Sequence, residues 1–247
     1  MKKYIFGNFK MNMSLKDTES YIEKFLPLVE NSKNEIVIFP SFVNLMFAKQ
    51  KLTASKVLLG AQNVSSETFG AYTGETGAFM LKSVGASYVI VGHSERRKLF
   101  LEKSDVINKK ILEALGVGLK VVLCIGETKY ERTNKKYKQA IEKLLADELK
   151  GLYENELKNI IIAYEPLWAI GTDKRPSTKE IEEVALIIRN KIKQEYSENS
   201  AKNIKVLYGG SINSQVAKAY CMAEGINGLL VGGASLNPQE FAKIANV

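Results

Sequence analysis

Eight short runs of β-forming apolar residues recur along the chain, and they limit its fold more than any other feature. They are Lys3–Asn8, Glu35–Pro40, Lys56–Gln62, Ser87–Gly92, Leu119–Gly126, Asn159–Glu165, Ile204–Gly210 and Gly228–Gly233. Each run is nearly continuous in hydrophobicity rather than alternating. Such a strand is covered on both faces, as in a parallel sheet. Parallel neighbours need crossover connections, and segments of helical period stand between the runs. Tyr21, Ile22, Phe25, Leu26 and Val29 form one apolar stripe. Tyr137, Ile141, Leu144, Leu145 and Leu149 form another, and Ile181, Val184, Ala185, Ile188 and Ile192 a third. Ser177 with Glu180 reads as a capping box, and Asn237 before Pro238 as an N-cap and first helical residue. The helical period is weakest between the third and fifth runs. Eight βα units of about 31 residues each predict a closed (β/α)8 barrel, as one domain over residues 1–247. The competing architecture, an open doubly wound sheet, usually carries a glycine-rich nucleotide loop after its first strand. The chain has neither G-x-G-x-x-G nor G-x-x-x-x-G-K-[ST].

Composition removes several classes of function. The chain has 247 residues, 45% apolar and 25% charged, close to the globular average. It has no apolar run of membrane-spanning length. The N-terminal apolar run stops at Asn8 and Lys10, too early for a signal peptide. Cys124 and Cys221 are the only cysteines, which suits a reduced, cytoplasmic setting. With one histidine besides, little remains to ligate zinc or iron, so no metal and no cofactor is expected. A net charge of +8 fits nucleic acid, a membrane surface or a small anionic ligand. Lys135, Lys136, Lys138 and Lys143 are interleaved with Glu131, Glu142, Asp147 and Glu148, which reads as a solvated surface. No basic patch interleaved with aromatics is present, so neither nucleic acid nor membrane is the expected partner.

Barrel chemistry sits at the carboxyl ends of the strands. Polar residues gather there: Asn8 and Lys10, Gln62 and Asn63, His93 to Glu95, Glu127, Glu165, Ser211. Gly209-Gly210-Ser211 and Gly232-Gly233 end the seventh and eighth runs. Glycines let main-chain amides approach a ligand, and two such loops at these places read as a phosphate cradle. A lone histidine is more often structural than catalytic. His93, however, follows a buried strand and opens a helix, where a neutral ring is favoured and can donate to a carbonyl oxygen. Glu165 ends a strongly apolar run, where a carboxylate needs a partner or a task. The segment Pro166-Leu167-Trp168-Ala169-Ile170-Gly171-Thr172 has an apolar tip between stiff ends and suits a water-excluding lid. Lys10 is either a solvated charge or a cation for an anionic substrate. A carboxylate base, a neutral electrophile, a cation, a phosphate cradle and a lid together suit proton transfer on a phosphorylated α-hydroxy carbonyl compound.

These residues resemble the triosephosphate isomerase family, whose fold is the TIM barrel. The marks are GNFKMN (7–12), Gln62-Asn63, TGE (73–75), GHSERR (92–97), CIGE (124–127), AYEPLWAIGT (163–172), YGGS (208–211) and LLVGGASL (229–236). They run in order from end to end. The resemblance implies interconversion of dihydroxyacetone phosphate and D-glyceraldehyde 3-phosphate, in glycolysis and gluconeogenesis. It implies Glu165 as base, His93 as electrophile, and Asn8 and Lys10 as substrate-holding groups, with Glu95 supporting Lys10. It implies phosphate donors at Gly171, Ser211, Gly232 and Gly233. It also implies a homodimer through the loop 64–77, with Thr73, Gly74, Glu75 and Met13 at the contact.

The chain departs from the family pattern after Thr172. Asp173, Lys174, Arg175 and Pro176 replace a usual glycine, lysine, threonine and alanine, so the second hinge of the lid is expected to move differently. The segment after Glu131-Arg132 lacks the usual glycine-lysine-threonine, and a changed turn is expected there. Two other readings compete with the isomerase. One is a phosphosugar barrel of aldolase type using Lys10 as nucleophile. The other is a non-catalytic module that binds phospholigands.

Overall fold

Alternate residues of the strands build two different cores. Phe6, Val37, Phe39, Tyr88, Ile90 and Val122 belong to a cluster inside the barrel. Their neighbours Ile5, Ile36, Ile38, Val89, Val91 and Val121 pack outward against the helices. Both faces are therefore buried, which is why the runs read as continuous. In this computed structural model, which describes residues 2–169 and 174–247, the strands are β1 (Tyr4–Asn8), β2 (Glu35–Phe39), β3 (Leu58–Ala61) and β4 (Tyr88–Val91). They continue with β5 (Lys120–Ile125), β6 (Ile160–Tyr164), β7 (Lys205–Gly210) and β8 (Gly228–Val231). All neighbours pair in parallel, and β8 closes on β1 with Tyr4 opposite Gly228 and Gly7 opposite Val231. A side chain at Gly228 would overlap the main chain of Tyr4, so glycine is needed for the seam to close.

The three apolar stripes fall on helices Leu15–Val29, Tyr137–Glu148 and Thr178–Glu195. Ser177 accepts from the Glu180 amide in a complete capping box, and Asn237 caps Pro238–Ala245. The weak periodicity between β3 and β5 has a physical origin. The β3–β4 connection spends its length on the loop 64–77 and keeps only the short helix Ala78–Ser83. The next connection splits into Ser94–Leu99 and Ser104–Gly116. Arg132 lies in a short helix, Lys129–Thr133, boxed by Thr128 and Glu131, and the chain then turns at 134–136, with Lys135 at φ 56°, into the helix Tyr137–Glu148. Among the described residues no helix is long and apolar enough to cross a membrane.

Candidate active site

The carboxyl ends of the strands surround a cavity of about 320 Å³. Asn8, Lys10, His93, Glu165, Ser211, Gly232 and Gly233 all line it. Each was expected at this rim from the sequence, and the barrel brings them together.

Lys10 sits just beyond β1 in the left-handed region, at φ 52°. That conformation costs a non-glycine residue roughly 1–2 kcal/mol, so its neighbours must hold it. The Lys10 amide donates to Asn8 Oδ1 at 3.0 Å. Gln62 Nε2 donates to the Lys10 carbonyl and to the Phe39 carbonyl, both at 2.8 Å. The ammonium pairs with Glu95 Oε1 at 2.5 Å. Gly232 leaves room for it, since a methyl there would stand 3.3 Å from Lys10 Cε.

His93 is the N-cap of the helix Ser94–Leu99. Its Nδ1 accepts from the Glu95 amide at 3.3 Å, so the ring carries its proton on Nε2. Nε2 lies 3.1 Å from Glu165 Oε1. Burial lowers the His93 pKa, but the Glu165 carboxylate, helped by Glu95, outweighs burial and raises it overall. Reading the helix N-terminus alone left out this contact. Glu165 follows β6 directly and is almost wholly buried. Its other oxygen accepts from the Ser94 amide at 3.0 Å. Burial raises the Glu165 pKa, yet His93, the Ser94 amide and Lys10 together bring it below the ordinary carboxylate value. Gly209 lies close beneath it: a methyl there would stand 3.1 Å from Glu165 Cγ and press on the carboxylate's stem.

A model of the triosephosphate isomerase family matches residues 3–247. The chain belongs to the triosephosphate isomerase family. The triosephosphate isomerase of Aquifex aeolicus is 47% identical over 245 residues, covering 99% of this chain and 98% of the relative. That of Caldanaerobacter subterraneus subsp. tengcongensis is 40% identical over 242 residues, covering 98% of each. The crystal structure of triosephosphate isomerase from Bartonella henselae superposes with a TM-score of 0.89 at 33% identity, covering 99% and 98% of the two chains. The chain is accordingly an isomerase with the TIM-barrel fold.

Of the segment 166–172, expected from the sequence as a lid, Pro166 to Ala169 are described. Ile170, Gly171 and Thr172 lie outside the described residues. The described part is fastened to Glu127. Trp168 Nε1 donates to Glu127 Oε1 at 2.8 Å, and the Leu167 amide to the Glu127 carbonyl at 3.1 Å. The same Oε1 accepts from Arg132 Nε at 2.8 Å and the Tyr164 hydroxyl at 3.0 Å. The sequence placed Glu127 at the rim without a task. What would have signalled one is an isolated carboxylate at a buried strand end five residues before an arginine.

The single histidine makes the Glu165 contact directly measurable. In Glu165→Gln the charge that raises the His93 pKa is gone while burial remains. The imidazole NMR signal is expected to titrate at lower pH than in the native protein. An unchanged midpoint would mean that the contact does not set the ring's ionisation.

Proposed function

We propose that Glu165 is the base and His93 the electrophile of a proton-transfer isomerisation of a triose phosphate. As a member of its family the chain interconverts dihydroxyacetone phosphate and D-glyceraldehyde 3-phosphate through an enediol(ate), a step of glycolysis and gluconeogenesis. The observation that carries the residue roles is the contact between Glu165 and the proton-bearing Nε2 of His93 at one cavity wall. Glu165 takes a proton from C1 of the ketose. The electron pair moves into the C1–C2 bond, and the carbonyl becomes an enediolate oxygen. The His93 Nε2–H and the Lys10 ammonium stabilise that oxygen, and Asn8 helps to hold it. A proton passes between the two oxygens by way of His93, and Glu165 returns a proton to C2. Amides of Ser211, Gly232 and Gly233, with Gly171 from the lid, hold the phosphate. Glu95 keeps Lys10 in place.

Substrate entry also tunes the base. In the free site His93 and the Ser94 amide depress the Glu165 pKa. A substrate carbonyl that takes the His93 proton donor removes part of that depression and leaves the effect of burial. The carboxylate then becomes a stronger base when it is needed. By the same exchange His93 loses part of the contact that raises its pKa, which favours the neutral ring. The aldolase reading is weaker because Lys10 is ion-paired with Glu95, a poor setting for the desolvated amine that imine formation requires.

We further propose one barrel domain for the chain, a cytoplasmic setting, and a homodimer. The loop 64–77 supports the dimer: Phe69, Tyr72, Thr73, Gly74 and Glu75 are exposed at its tip. Met13 packs partly against the core, and Met11 beside it is almost fully exposed. Thr73→Arg is expected to shift the sedimentation of the native protein from dimer to monomer. Unchanged sedimentation would move the interface elsewhere.

The reaction is tested by incubating the protein with dihydroxyacetone phosphate in D₂O containing EDTA. Aldose with carbon-bound deuterium is expected in the NMR spectrum. A trapped imine on Lys10, or no isomerisation, would overturn the reading.

A further inference from the structure

Arg175 stands ten residues after Glu165 and directly before the buried Pro176. Arg175 lines the same cavity as Ser211, Gly232 and Gly233. We infer that Arg175 is a further phosphate-binding residue, adding a guanidinium to a cradle otherwise built of neutral amides. This rests on the isomerase reading and deepens it.

Charge accounting at the cavity supports the inference. A phosphate ester arrives with nearly two negative charges, and the wall already carries the Glu165 carboxylate. Lys10 is paired with Glu95 at 2.5 Å and its remaining donors serve the enediolate oxygen rather than the phosphate. His93 faces Glu165 and carries a single ring proton. Arg175 is exposed and has no carboxylate within ion-pair distance among the described residues. It is the one uncommitted cation among the described residues of the lining.

Its stem is also anchored. Pro176 is buried, and its carbonyl accepts from the Tyr220 hydroxyl at 3.2 Å. The residue before a proline is restricted to extended backbone, so Arg175 leaves a fixed point in a limited direction. Its charge reaches the Tyr208–Tyr220 pair, where it opposes the rise that burial gives both phenols. Gly210 and Ser211, at the end of β7, share the cavity wall with Arg175. A planar fork of N–H donors matches two phosphate oxygens.

The test uses the full-length native protein and Arg175→Gln, with inorganic phosphate as the calorimetric probe. Phosphate is expected to bind the variant about tenfold more weakly, the scale of one lost charge-assisted hydrogen bond. KM for D-glyceraldehyde 3-phosphate is expected to rise in parallel. Turnover of unphosphorylated D-glyceraldehyde should be unchanged, and Arg175→Lys should recover part of the phosphate affinity. Equal phosphate affinity in native protein and Arg175→Gln would overturn the inference while leaving the isomerase reading standing. Equal losses on both aldehydes would overturn it too, since a structural role would produce them. A native protein that holds phosphate through Arg175 but isomerises nothing would sink the reaction and support the anion contact.

Discussion

Glu165→Gln is expected to lower kcat about a thousandfold, within the 10²–10⁴ range of a lost general base. The substitution keeps the shape of the side chain and removes its proton affinity. It also exposes a conflict in the free site. The carboxylate accepts from both His93 Nε2 and the Ser94 amide, at 3.1 and 3.0 Å. The two donors face different carboxylate oxygens, and in the amide one of those positions becomes an NH2 that cannot accept. The side chain will therefore settle on one donor without leaving the cavity. Phosphate-bearing ligands, held elsewhere, should bind within about threefold of native affinity. Steady-state kinetics with a competitive binding assay separates the two effects. Equal losses in binding and turnover would indicate a collapsed site rather than a missing base.

The second large effect is on stability. Arg97, partly buried, and Glu148, fully buried, form a bidentate pair, with Nη1 and Nη2 at 2.6 and 2.9 Å from the two carboxylate oxygens. Arg97 also donates to the Gly92 and Cys124 carbonyls, each at 2.6 Å. It thereby ties the strand end before His93 to β5. Glu148 is fully buried and receives one more bond, from Ser104 Oγ at 3.0 Å. Arg97→Met strands that carboxylate and is expected to cost about 3–5 kcal/mol in urea unfolding. Arg97→Met combined with Glu148→Leu should recover at least about half of the loss, because no charge is then left buried alone. If the double variant is no more stable than the single one, the loss lies in the two carbonyl contacts instead.

These two sites differ in how far they could be read from sequence. The strands were legible because both faces are buried, and their apolar runs survive any helix assignment. Ends were less so: β3 begins at Leu58 rather than Lys56, and β8 stops at Val231 before a 3₁₀ turn at Gly233–Leu236. Glu165, His93 and Lys10 were legible because each breaks the chemistry of the run it follows. Glu148 was not, because a glutamate in a helical stripe looks like any solvated one until the barrel folds Arg97 over it. The left-handed backbone of Lys10 was equally hidden, since Gln62 and Asn8 hold it across strands rather than locally. Arg175 read only as a changed hinge, and its place in the cavity depends on the anchored Pro176.

The role of Glu165 as base is tested by a crystal structure of the protein with a planar, phosphate-bearing mimic of the enediolate. The Glu165 carboxylate is expected to leave the Ser94 amide and lie about 3–3.5 Å from the two carbons that exchange the proton, with His93 Nε2 on the mimic's oxygens. A carboxylate still bonded to Ser94, and facing away from those carbons while the phosphate is fully held, would contradict the account.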